Sequence, residues 1–224
     1  MNPNPSLQLV LLPGLGADER LLAPQRTAFP DLLIPPWLPP HGSEGLPEYA
    51  ARLAGTLPRD KPLIVGGVSL GGMIAYELAR HVQSRAVVLI ASCCTRKGIR
   101  PFFRIAGRLW PAVPPGIFHL LKCGAYPIFH CLSRTPAAQS QMLIAMFRSI
   151  DNRLMHWAVS AILRWRPKPL DQIPLHHIHG VRDRVIPARL LSPTVLIHNG
   201  GHLINLTHAD EVNAFLRKVI QSQM

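Results

Sequence analysis

A chain of 224 residues, 48% of them apolar, can bury one large core and is short for two independent ones, so residues 1–224 are expected to form a single domain. No apolar run reaches the roughly 18 residues of a membrane helix and Met1 to Ser6 carry no positive leader, which points to a soluble, cytoplasmic protein. The net charge of +12 is concentrated: Cys93 to Leu170 hold twelve Lys and Arg against the single acid Asp151, and the rest of the chain is close to neutral.

The first element, Leu7 to Leu12, is an apolar strand that ends in Pro13-Gly14-Leu15-Gly16-Ala17-Asp18, a glycine-rich turn. Asp31 to Leu38 is predicted as a second strand, confined to an edge by Pro35 and Pro36, which cannot donate to a ladder. After a loop from Pro39 to Glu44, Leu46 to Leu57 has helical spacing, with Ser43 and Glu44 near its start. Pro62 to Val68 is a buried strand that runs into Gly67-Val68-Ser69-Leu70-Gly71, and a helical pattern with Met73, Ala75, Tyr76 and Leu78 follows at once.

Ser69 therefore falls on the turn between strand and helix. So sharp a reversal strains the serine, and the helix then passes so close that only small side chains fit two residues before and after it. Gly67 and Gly71 meet that demand, and Gly72 adds room. The turn also sets the Leu70 N–H at a helix N-terminus, facing any anion that forms beside the Ser69 Oγ. Arg85 to Ser92 is one more buried strand, and the alternation of strand and helix marks a doubly wound, mostly parallel α/β sheet of about six strands.

Residues 93–170 break that rhythm. They hold Pro101, Pro111, Pro114, Pro115, Pro127 and Pro136, with Phe102, Phe103, Trp110, Phe118, Tyr126 and Phe129 between them, and then a long helical pattern from Ala137 to Trp165. Met142, Met146 and Met155 are expected to pack as ordinary core. Cys93, Cys94, Cys123 and Cys131 lack Cys-x-x-Cys spacing, so they read as reduced thiols and not as a disulfide framework.

The α/β rhythm resumes with a strand from Leu175 to His179 ending in Gly180-Val181-Arg182-Asp183. A further strand, Thr194 to His198, ends in Asn199-Gly200-Gly201-His202, and Asp210 to Gln221 form a closing amphipathic helix. Ser69, Asp183 and His202 each stand just past the end of a predicted parallel strand, the edge where open α/β sheets gather their sites. Serine is a poor nucleophile alone; an imidazole takes its proton and returns it to the leaving group, and a carboxylate fixes the imidazole tautomer.

These residues, in the order Ser, Asp, His with a Gly-x-Ser-x-Gly elbow, resemble the α/β-hydrolase fold family over nearly the whole chain apart from residues 93–170. The resemblance implies a serine hydrolase that cleaves an ester or thioester of a hydrophobic acyl group without a cofactor. It implies Ser69, His202 and Asp183 as catalytic triad, and the Leu15 and Leu70 N–H groups as oxyanion hole. Pro13 stands where the family commonly has histidine, which leaves the donor position intact. Residues 93–170 occupy the slot of the family's helical cap insertion.

Alternatives in the same family are a lyase or cofactor-free haloperoxidase-like enzyme on the same triad, and a non-catalytic binding protein that keeps the fold. Competing residues are fewer. His41, His208 and Asp171 do not end a strand in a glycine turn, and Asp18 and Asp210 read as a loop cap and a helix N-cap. His177 and His179 share a strand face, with His198 in the next strand and His176 opposite, but no carboxylate or cysteine joins them at metal-ligand spacing, so no metal is expected. The basic segment lacks a nucleic-acid-binding motif. Its charge and aromatics suit an anionic membrane surface or an acidic acyl carrier instead.

Overall fold

The computed structural model describes residues 7–99 and 137–224. The expectations placed on residues 100–136, including Phe102, Phe103, Trp110, Phe118, Tyr126, Phe129, Cys123, Cys131 and five of the basic residues, lie outside the described residues.

Five strands, β1 (Gln8–Leu12), β2 (Leu63–Val68), β3 (Ser84–Ile90), β4 (Leu175–Gly180) and β5 (Val195–Ile197), form one parallel sheet in that order. Parallel neighbours need crossovers, and helices supply them: α1 (Ala23–Ala28), α2 (Leu46–Ala54), α3 (Leu70–Leu78), α4 (Ala137–Ser149), α5 (Asn152–Arg164), α6 (Ile204–Thr207) and α7 (Ala209–Ser222).

Among the described residues the sheet has five strands, where about six are expected. Asp31 to Leu38 contribute a single parallel bridge, Val10 to Leu33, in which Leu33 N–H donates to the Leu9 carbonyl and Leu11 N–H to the Leu33 carbonyl, each at 3.0 Å. Pro35 and Pro36 follow with no N–H to extend the ladder.

Period-two alternation divides the strand residues between two cores. Val10, Leu12, Val65, Val87 and Leu89 pack with α2, α3, the α5 side chains Trp157 and Ala161, and Trp165 just past the end of α5. Leu9, Leu11, Ile64, Val88 and Ile90 point the other way, onto Leu21, Leu22 and α7. The α7 residues Val212, Phe215, Leu216 and Val219 recur at helical spacing and are all buried, so that one stripe closes this face. Each fully buried leucine here stabilises the fold by about 1.5–3 kcal/mol.

Within the expected cap, the helical pattern from Ala137 to Trp165 is two helices. Asp151 breaks it, its carboxylate accepting the Arg153 N–H at 2.7 Å and the Leu154 N–H at 3.0 Å, so a side chain takes over the work of the helical ladder and α5 starts afresh. Met146 and Met155 are buried as core and Met142 is partly buried. Asp210 is not the cap of the closing helix: His208 holds that position and Asp210 lies in the first turn, where its charge still faces the helix dipole.

Candidate active site

The strand β2 is buried at all six positions and delivers the chain into the sheet's carboxyl edge. There Ser69 adopts φ 53° and ψ −117°, a conformation that costs a non-glycine residue of order 1–3 kcal/mol. Two bonds hold it: Ser69 N–H donates to the Ile90 carbonyl at 3.0 Å, and the Ser92 hydroxyl donates to the Ser69 carbonyl at 2.5 Å. The flanking glycines are obligatory. A Cβ on Gly67 would lie 2.5 Å from the Gly71 carbonyl carbon, and one on Gly71 would enter the carbonyl oxygens of Leu12 and Pro13.

The turn after β1 lies against this elbow. A Cβ on Gly14 would be 3.5 Å from the Ser69 Cβ and 3.4 Å from the Val68 carbonyl oxygen, which brings the following residue, Leu15, beside the serine. The Ala17 N–H closes the turn on the Gly14 carbonyl at 3.2 Å, and Gly16 adopts φ 75°. Among the described residues, neither Leu15 N–H nor Leu70 N–H donates to an acceptor, so two backbone donors flank Ser69 unused. Phe147 of α4 and Met155 of α5 reach over the turn: a Cβ on Gly16 would be 2.6 Å from the Phe147 ring and 3.1 Å from the Met155 Cε.

The acid and histidine loops cross where β4 ends. Gly180 packs on the Gly200 and Gly201 carbonyls with no room for a Cβ, Asp183 N–H donates back to the Gly180 carbonyl at 3.1 Å, and Arg182 N–H donates to the Gly200 carbonyl at 2.9 Å. That crossing brings Asp183 Oδ2 to 2.8 Å from His202 Nδ1, and His202 Nε2 to 3.0 Å from Ser69 Oγ. Ser69, half-buried, is the end of the row, with His202 and Asp183 buried behind it.

The other carboxylate oxygen, Asp183 Oδ1, accepts the Val185 N–H at 2.8 Å and the Ile186 N–H at 2.9 Å. Burial by itself raises the pKa of this carboxyl, but the neighbouring His202 and the hydrogen bonds from His179 and His202 outweigh it and hold the group well below the ordinary carboxylate range. The Asp183 charge is therefore kept inside the protein.

The strand-face reading of His177 and His179 has a different outcome from a metal pair. His179 Nε2 lies 3.1 Å from Asp183 Oδ2 and 2.8 Å from the Ile186 carbonyl oxygen, and His179 Nδ1 is 3.0 Å from His177 Nε2. His198 is exposed and His176 half-buried, and neither joins them. Among the described residues no group of three His, Cys, Asp or Glu could hold a metal ion.

The weaker candidates lie elsewhere. Asp171 and His41 are exposed, the His41 N–H donating to Glu44, and His208 pairs with the Thr207 hydroxyl at 2.8 Å. Asp18 caps the turn after Ala17 as expected, accepting the Arg20 N–H at 3.0 Å. The contact of His179 with Asp183 and the support of Ser69 by Ser92 were not foreseen; the only signal for the first is a histidine four residues before the acid.

The family model described as "Alpha/beta hydrolase family" matches residues 8–215. Among solved structures, the chain is similar to a thermophilic esterase from Thermogutta terrifontis, at 17% identity over 98% of this chain and 91% of that one, with a TM-score of 0.67. It is also similar to the RedJ thioesterase from the prodiginine biosynthetic pathway in Streptomyces coelicolor, at 16% identity over 97% of this chain and 85% of that one, with a TM-score of 0.63. A stretch of 51 residues, 23% of this chain, is 41% identical to polyketide synthase PksR of Bacillus subtilis, and spans 2% of that protein's length.

Proposed function

The chain belongs to the alpha/beta hydrolase family and is a hydrolase by that membership, and we propose that it cleaves a carboxylic ester or thioester of a hydrophobic acyl group through Ser69, His202 and Asp183. One observation carries the reading: the unbroken row from Ser69 Oγ through His202 to Asp183, with contacts of 3.0 and 2.8 Å.

The steps follow from the donors and acceptors in that row. His202 Nε2 takes the Ser69 proton as Oγ attacks the acyl carbon, and Asp183 holds the Nδ1–H tautomer that leaves Nε2 free to do so. Charge then grows on the former carbonyl oxygen, where the Leu15 and Leu70 N–H groups, without another acceptor among the described residues, are available to receive it. His202 passes its proton to the departing alkoxide or thiolate. Water, deprotonated by the same Nε2, releases the acid and restores Ser69.

A hydrophobic acyl group suits Phe147 and Met155, which cover the Gly16 turn beside these donors. Residues 93–170 act as the cap of a single domain, and their basic side chains receive the substrate's anionic carrier, an acidic acyl-carrier protein or a phospholipid surface. Among the described residues no helix is long and apolar enough to cross a membrane. Turnover of a chain-length series of aryl esters and acyl thioesters by the parent and by Ser69→Ala tests the reading; the variant is expected to lose about 10³-fold or more with every substrate.

A further inference from the structure

The chain at the end of β3 grips both peptides that flank Ser69. Ser69 N–H, on the peptide before the serine, donates to the Ile90 carbonyl at 3.0 Å, and the Ser92 hydroxyl donates to the Ser69 carbonyl, on the peptide after it, at 2.5 Å. Ala91 stands between these two partners with φ 46°, in the left-handed region that an alanine rarely enters. Its own N–H donates to the Ile178 carbonyl of β4 at 3.0 Å, so the turn that sends Ser92 across to the elbow is itself tied to the sheet. Ser92 is fully buried, and its hydroxyl sits where Gly72 leaves room: a Cβ on Gly72 would lie 2.5 Å from the Ser92 Oγ.

The Ser69 carbonyl belongs to the same planar trans peptide as the Leu70 N–H, and the two point in opposite directions. Whatever holds that carbonyl therefore aims that N–H. Gly72 N–H and Met73 N–H also donate to it, at 3.0 and 3.3 Å, but both belong to the first turn of α3 and move with Leu70. Of these three donors only Ser92 comes from outside α3, so its bond is the one that fixes the direction of the Leu70 N–H against the sheet. It also draws electron density onto the carbonyl oxygen, which makes the N–H on the far side of the amide a stronger donor.

We propose that Ser92 is a positioning residue for the oxyanion hole: through the Ser69–Leu70 peptide its hydroxyl aims the Leu70 N–H at the oxygen on which charge grows during acyl transfer. The assignment rests on the proposed reading of Ser69 as nucleophile and of Leu70 N–H as oxyanion donor. That donor is needed most where the charge is greatest, so loss of the Ser92 bond weakens the transition state and leaves binding of the neutral ester alone.

Ser92→Ala, compared with the parent on a soluble aryl ester and on an aryl trifluoromethyl ketone, tests this. Ser69 Oγ adds to the ketone carbon, its proton passes to His202 Nε2, and the former carbonyl oxygen takes the negative charge, so the adduct reports on the oxyanion hole. In Ser92→Ala kcat is expected to fall about 10- to 30-fold, part of the roughly 10²–10³-fold that deleting an oxyanion donor outright costs, with KM within about twofold of the parent. The ketone is expected to bind more weakly by the same factor. Parental kcat with parental ketone affinity overturns the proposal, and so does a fall in kcat with ketone affinity unchanged, which would make Ser92 a packing residue. Ser92→Cys keeps a weaker donor in nearly the same shape, and a loss of about threefold with the same split is expected. Should Ser92→Ala not fold, parental kcat and ketone affinity in Ser92→Cys overturn the proposal. Ser69→Ala separates the two readings: activity retained there overturns the triad and this assignment together, whereas an inactive Ser69→Ala beside an unaffected Ser92→Ala overturns this assignment alone.

Discussion

The Trp157 indole lies on the Tyr49 ring, 4.4 Å between centroids and 30° from parallel, and its N–H donates to the Glu44 carbonyl at 2.8 Å. One side chain of α5 is thereby fixed to α2 and to the loop before it, so the helix that carries Met155 over the Gly16 turn has a rigid root.

Trp157→Ala is expected to cost about 3–5 kcal/mol of stability, the range for truncating a buried Trp. α5 would lose its register before the elbow does, so KM for long-chain esters should rise more than kcat falls. Urea unfolding and a chain-length series check this together; a variant with parental stability and unchanged KM would show that α5 is held by other contacts.

Gly71→Ala tests the elbow without changing any side chain of the proposed triad. The added Cβ meets backbone oxygens of Leu12 and Pro13, which cannot swing aside as a flexible side chain could, so β1 and α3 must part. Activity is expected to fall by about two orders of magnitude, since a displacement near 1 Å at the reacting atoms costs that much. Parental kcat in this variant would mean the strand-to-helix turn is looser than its contacts indicate.

In Asp183→Asn every oxygen position of the acid is already an acceptor: Oδ1 for two backbone N–H groups, Oδ2 for His202 and His179. Either orientation of the amide turns an NH₂ toward donors, so kcat should drop by about 10³-fold or more and stability by about 1–3 kcal/mol. An unchanged kcat would move the acid to another residue, with Asp171 the first to try.

Stability should decline early on acidification. His177, held down to about 3 from 6.5 by burial and by His179, takes up its proton more readily unfolded than folded; its contribution is complete above about pH 6.5 and lost as pH falls towards 3. Asp183, also depressed, adds a loss that begins only below the ordinary carboxylate range. The urea midpoint is expected to fall already between pH 6.5 and 4.5, and His177→Gln to flatten that part. A parental midpoint constant down to pH 4.5 would contradict it.

Carrier-bound acyl substrates should be turned over less efficiently at physiological than at low salt, because exposed charges are screened over about 8–10 Å. Neutralising Arg96, Lys97, Arg100 and Arg104 together is expected to reproduce the loss at low salt and to leave a small soluble ester unaffected. Equal rates for parent and variant on anionic vesicles and acidic carriers would leave the basic segment a solubility feature.

The elbow and the turn after β4 were legible because Gly67 and Gly71 on either side of Ser69, and Gly180 ahead of Asp183, have no room for a side chain. The strand at Asp31 was overread: apolar residues before Pro35 and Pro36 satisfy the pattern, but a ladder also needs N–H groups. Alternation placed His177 and His179 on one face correctly. What they meet there was not legible, since it depends on the loop after β4 curling back until Asp183 lies beside His179, a contact set by Gly180 packing on Gly200 and Gly201. The break at Asp151 was hidden by apolar spacing that runs through both helices.

Mapping a fluorophosphonate adduct by mass spectrometry tests the central claim most directly. The parent is expected to carry one adduct, on the Ser69 Oγ, formed rapidly at pH 7 to 8, and Ser69→Ala to carry none while unfolding with the parental urea midpoint. No adduct on Ser69 in active, folded parent protein, or hydrolysis undiminished in Ser69→Ala, would contradict a serine mechanism at this site.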